Sequence, residues 1–178
     1  MIASEPTENL RRLHERLRSG ICLVAELEER LHQRDAEALK LESFDRVVAY
    51  LHGVVLPHLR GELQVLYPEA ELASGIDPAL IHRLISNCEQ LECCAERVVR
   101  DRERVRRGGR DNVGYRRHIT CVVRLLRRHL ESVETELLPE VASRLDGDQV
   151  LRLYEEIEAS SFEAELELSG LTVSPCDN

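Results

Sequence analysis

Along four long stretches of this chain, apolar residues return at alternating steps of three and four, the period of a helix with one face turned inward. The first stretch runs from about Thr7 to Arg34 through Leu10, His14, Leu17, Ile21, Val24, Glu28 and Leu31. The second runs from about Ser43 to Tyr67 through Phe44, Val47, Leu51, Val55, His58, Glu62 and Val65. Pro57 should kink it and Pro68 should help to end it. Asp77-Pro78 reads as an N-cap followed by proline at the first helical position. It opens a third helix through His82, Ile85, Glu89, Glu92, Ala95 and Val99, which Gly108-Gly109 closes. A fourth begins near Gly114 and shows Tyr115, His118, Val122, Leu125, His129, Val133 and Glu136 on one side before Pro139. Asp146-Gly147-Asp148 marks a turn into a short fifth helix, Gln149 to about Ala164. The pattern predicts an all-α protein: an up-down-up-down four-helix bundle over residues 1–164 with a short fifth C-terminal helix, then a polar, flexible tail over 165–178.

Two features interrupt the apolar stripes. His58-Leu59, eight residues and Pro68-Glu69 return downstream as His129-Leu130, eight residues and Pro139-Glu140, so the chain looks internally repeated. His58 and Glu62 are one helical turn apart and can grip one ion. Histidines also sit in all four stripes. In a bundle with short loops, residues equally far from the turn between two helices lie at the same height. His14 and His58 have their midpoint at Ala36 in the polar break Arg34-Asp35-Ala36-Glu37, and His58 and His82 have theirs at Ala70, just after Pro68. His82 and His129 meet between Val105 and Arg106, close to Gly108-Gly109. His14, His58, His82 and His129 are therefore expected in one layer. Imidazoles buried together without a partner are costly, and a metal resolves the conflict. Glu62 and Glu134 add carboxylates. Imidazole with carboxylate and without thiolate suits iron, manganese or zinc, and this many donors suits two ions best. His32, His52 and His118 stand outside the layer.

Composition narrows the classes of function. Leu, Glu and Arg dominate, six Phe and Tyr with no Trp leave aliphatic residues to fill the core, and 178 residues suffice for one domain. The net charge of −9 disfavours nucleic acid and anionic membranes as partners. Charge is uneven, however: nine arginines fall between Arg97 and Arg117, a solvated surface or a docking patch for an acidic protein partner. No apolar stretch reaches the ~20 residues of a membrane span, and the amino-terminal Met-Ile-Ala-Ser-Glu-Pro carries no apolar run, so a cytoplasmic setting is expected. Cys22, Cys88, Cys93, Cys94, Cys121 and Cys176 lack Cys-x-x-Cys spacing and read as buried thiols first, redox sensors second.

The ordered set His14, His58-x-x-x-Glu62 with Leu66-Tyr67-Pro68, His82, and His129-x-x-x-x-Glu134 with Leu137-Leu138-Pro139 resembles the haemerythrin-like (HHE) cation-binding family, over roughly residues 8 to 160. The resemblance implies a four-helix bundle holding a non-haem di-iron centre, oxo- or hydroxo-bridged and spanned by Glu62 and Glu134. It also implies that the centre binds or senses oxygen, peroxide, nitric oxide or iron. Oxygen-carrying members place a second histidine four residues after the one matching His82. Here that residue is Ser86, which implies an open metal position. The alternatives are a di-iron enzyme of peroxide breakdown or oxidase type, and a helical interaction module with a degenerate metal site.

Overall fold

Three prolines shape two of the helices of this protein. The structure, a computed structural model, describes residues 7–33, 41–73 and 75–170, and every regular element among them is helical. Helix α1 is Glu8–His32, α2 covers 41–72, α3 is Pro78–Arg106, α4 covers 112–144 and α5 is Gly147–Gly170. Within α2 and α4 lie three five-residue π turns, Leu51–Val55, Glu62–Leu66 and Val133–Leu137. Each ends two residues before a proline, namely Pro57, Pro68 and Pro139. A proline inside a helix lacks an N–H and presses its ring on the carbonyl four residues back. The wider π turn absorbs that misfit without breaking the helix.

The expectation that Pro68 and Pro139 end their helices is therefore corrected. The chain stays helical to Leu72 and to Arg144. The extra residue in each turn also shifts the buried stripe: Leu66 is buried where the simple period puts Val65, and Leu137 is buried where it puts Glu136.

Successive helices α1 to α4 pack on one another, and α4 packs back on α1. Their inward faces form one apolar core that includes Leu17, Leu31, Phe44, Leu51, Leu91, Ile119 and Leu126. Asp77 caps α3 as expected, its Oδ1 accepting from Ala79 N–H at 2.9 Å, and Pro78 follows at the first position. Gly108, at φ 83°, reverses the chain after α3, so that Gly109 N–H donates to Arg104 O at 2.9 Å. Asp146 and Gln149 cap α5 reciprocally, at 2.8 and 2.9 Å.

Helix α5 is longer than expected and lies against α2. The approach depends on Gly61: a Cβ there would come within 3.0 Å of Ile157 Cγ2 and 3.3 Å of its backbone. The missing side chain thus seats α5 over the turn that carries His58 and Glu62. The expected turn over residues 34–37, Cys176 and residues 171–178 of the expected tail lie outside the described residues. No helix among the described residues is long and apolar enough to cross a membrane.

Candidate metal centre

His14 reaches the core because it falls in the apolar stripe of α1 between Leu10 and Leu17, and only 2% of it is exposed. His58 and Glu62 project from adjacent turns of α2, and His129 from α4; all three are buried. The three imidazoles form a triangle with ring centres 5.1, 6.2 and 6.2 Å apart. Glu62 sits among them. Its Oε1 is 3.2 Å from both His14 Nε2 and His58 Nε2, and its Oε2 is 2.9 Å from His129 Nε2. One donor atom from each of these four residues lies within 4.8 Å of all the others, a spacing that can hold a metal ion.

Electrostatics bind the cluster together. Burial alone would raise the Glu62 carboxyl, but the charges of His129 and His58 outweigh it and hold Glu62 well below its ordinary range. Burial would lower His129, yet the Glu62 carboxylate raises it to about 10. His14 follows the same logic: burial lowers it, and hydrogen bonds to Glu134 and Glu62 carry it above its ordinary value. His58, for which burial dominates, is lowered. The group is thus a carboxylate surrounded by imidazoles that share its charge.

Without a metal the arrangement has a defect. His58 Nε2 and His129 Nε2 are buried and make no hydrogen bond, because Glu62 is close enough but not in line with either. Each unsatisfied buried polar atom costs about 1–3 kcal/mol. Both orphaned nitrogens face the carboxylate, and neutral imidazole nitrogens beside carboxylate oxygens suit a first-row divalent ion. The residues therefore fit the group that the donor set calls for.

Glu134 stands at the edge of this layer rather than within it. Its Oε1 is 3.1 Å from His14 Nδ1 and its Oε2 accepts from Arg18; the His14 bond and then Arg18 lower its carboxyl. Its side chain is 18% exposed, whereas the four residues of the cluster are buried.

His82 does not join the layer. Its side chain is 72% exposed and lies 3.9 Å from Glu71. The expectation of four converging histidines is corrected to three. The physical reason lies in α3, where the face through His82 also carries Glu89 and Glu92. Burying it would bury two carboxylates. The face through Leu84, Cys88, Leu91, Ala95 and Val98 turns inward instead. Ser86 is exposed as well, its hydroxyl accepting from Gln90, so it leaves no opening at the cluster.

Sequence reasoning missed three residues beside the site. Tyr67 donates to Glu62 Oε2 at 2.9 Å, Cys88 lies between Tyr67 and His129, and Arg18 bonds Glu134. Ranking the faces of α3 by their aliphatic residues alone would have turned Cys88 inward. Of the cysteines expected to be buried, Cys88 and Cys94 are, whereas Cys22 and Cys93 are exposed.

The Hemerythrin HHE cation binding domain matches residues 5–141, a span that holds every residue of the cluster and ends before α5. The chain belongs to that family. No curated protein and no solved structure matches it.

Proposed function

We propose that this protein binds iron at His14, His58, Glu62 and His129, with Glu134 as an outer carboxylate, and uses it to bind or sense a small ligand such as oxygen, peroxide or nitric oxide. The observation that carries the reading is the buried cluster itself: three imidazoles around one carboxylate, two of their nitrogens orphaned, in a chain of this family. Iron bound there would supply a redox-active cation with positions left for a small exogenous molecule.

The chain's own residues do the rest. Glu62 lowers the charge of the site, the three imidazoles orient around it, and burial in the core excludes water. In the di-iron form of the reading, Glu62 and Glu134 would be the residues to hold a second ion. Helix α3 brings no imidazole to the cluster, so a second ion would be held more weakly than the first. Iron analysis before and after extended dialysis tests this, together with ultraviolet-visible spectra on adding azide or air. One iron retained and a second lost supports it; no iron in either sample contradicts it.

A second reading, docking of an acidic protein segment, is favoured by a cavity of about 570 Å³ bounded by Arg97, Arg116, Arg117 and Arg124. Charge reversal of Arg117 and Arg124 should then abolish binding of an acidic peptide, and unaltered binding would contradict it.

A further inference from the structure

One closed circuit of contacts joins two residues of the cluster through two groups that no metal needs. Tyr67 Oη is 2.9 Å from Glu62 Oε2 and 3.6 Å from Cys88 Sγ, and Cys88 Sγ is 3.8 Å from His129 Nδ1. His129 Nε2 returns to Glu62 Oε2 at 2.9 Å. Three helices contribute, and all four residues are buried. Cys88 is the point at which α3 touches the layer through a polar atom.

The proton count permits one ordering without conflict. Glu62 is a carboxylate and only accepts, so the Tyr67 O–H must be spent on it. The Tyr67 oxygen can then accept only, which orients the Cys88 S–H toward it. The sulfur keeps its lone pairs for an N–H from His129 Nδ1. Every donor in the chain points the same way, from His129 through Cys88 and Tyr67 to Glu62, which leaves Nε2 as the His129 nitrogen available to a metal at the centre of the cluster.

We propose that Cys88 and Tyr67 are positioning residues of the metal centre: their thiol and phenol form a one-way hydrogen-bonded chain that fixes the His129 tautomer and holds Glu62 Oε2 in place. Partners of this kind, behind the groups that bind metal, are worth about tenfold to a hundredfold in metal affinity. The proposal rests on the metal-binding reading above.

The test measures ferrous-iron affinity by competition with a chromophoric chelator. It also reads the imidazole nitrogen resonances of the zinc-loaded protein. Cys88→Ala and Tyr67→Phe should each weaken iron binding about tenfold or more, and the double variant should lose less than the product of the two, because either change breaks the same chain. Cys94→Ala, a buried thiol on the same helix outside the circuit, should bind as the unmodified protein does. Cys88→Ser has nearly the volume of the alanine variant but keeps a donor and an acceptor, so it should bind more tightly than Cys88→Ala and remains testable if the latter fails to fold. His129 should carry its proton on Nδ1 in the zinc form. Equal affinities for Cys88→Ala and Cys88→Ser, fully multiplicative losses, or a proton on Nε2 would overturn the chain. Failure of the unmodified protein to bind iron would instead overturn the reading beneath it.

Discussion

His14 Nε2 stands 3.2 Å from Glu62 Oε1, two buried groups 48 positions apart brought together by the packing of α1 on α2. Neither would be stable in that core alone. A buried carboxylate requires opposite charge or hydrogen bonds, and a buried imidazolium requires the reverse. The contact therefore ties the fold of two helices to the charge state of the site.

Because His82 points to solvent, its removal should leave the centre intact. His82→Ala should retain the metal content of the unmodified protein, and Ser86→His, which places an imidazole on an exposed turn of α3, should leave the spectrum of the iron-loaded protein unchanged. Metal analysis and absorption spectra check both. Loss of metal in His82→Ala would show that α3 turns its other face inward when metal is present.

Metal uptake should release protons. His129, raised to about 10, holds its proton near pH 7 in the metal-free protein, and His14 is shifted in the same direction. Their bound form requires neutral nitrogen, so protons compete with the ion. Affinity should rise as pH rises from 6 to 8, by up to about tenfold per unit for each proton displaced. Titration calorimetry in buffers of different ionisation enthalpy reads the proton count directly. A count of zero would contradict the charge assignment of the cluster.

Gly61→Ala should destabilise the protein by about 1–3 kcal/mol, the usual cost of forcing extra volume into a packed contact. The added methyl meets Ile157 Cγ2 at 3.0 Å and its backbone at 3.3 Å, and must push α5 away from α2 or shift α2 at His58 and Glu62. A lower melting temperature with weaker metal binding is the expected pair of effects. An unchanged melting curve would show that α5 does not rest on this turn in solution.

Much of this was legible in the sequence, for identifiable reasons. The stripes of α1, α2 and α4 carry enough Leu, Val and Ile to fix which face is buried, and His14, His58, Glu62 and His129 fall on those faces. Glu134 is five residues after His129, and the π turn at Val133–Leu137 accompanies its projection toward α1. That widening was not legible from a strict helical period, nor was the same shift after Glu62. Helix α3 misled because its histidine was weighed above its leucines. A single polar residue on a face says less than the two carboxylates that share it.

The account rests on one claim, that His14, His58, Glu62 and His129 together hold iron. The most direct measurement is the iron content of protein reconstituted anaerobically with ferrous iron and freed of excess, compared between the unmodified chain and His58→Ala, with the melting temperature of each recorded before and after a chelator. The account predicts at least one iron per chain in the unmodified protein, a large loss in His58→Ala, and a melting temperature that a chelator lowers only in the protein that holds metal. Iron near zero in the unmodified protein, or equal iron in both, would contradict it.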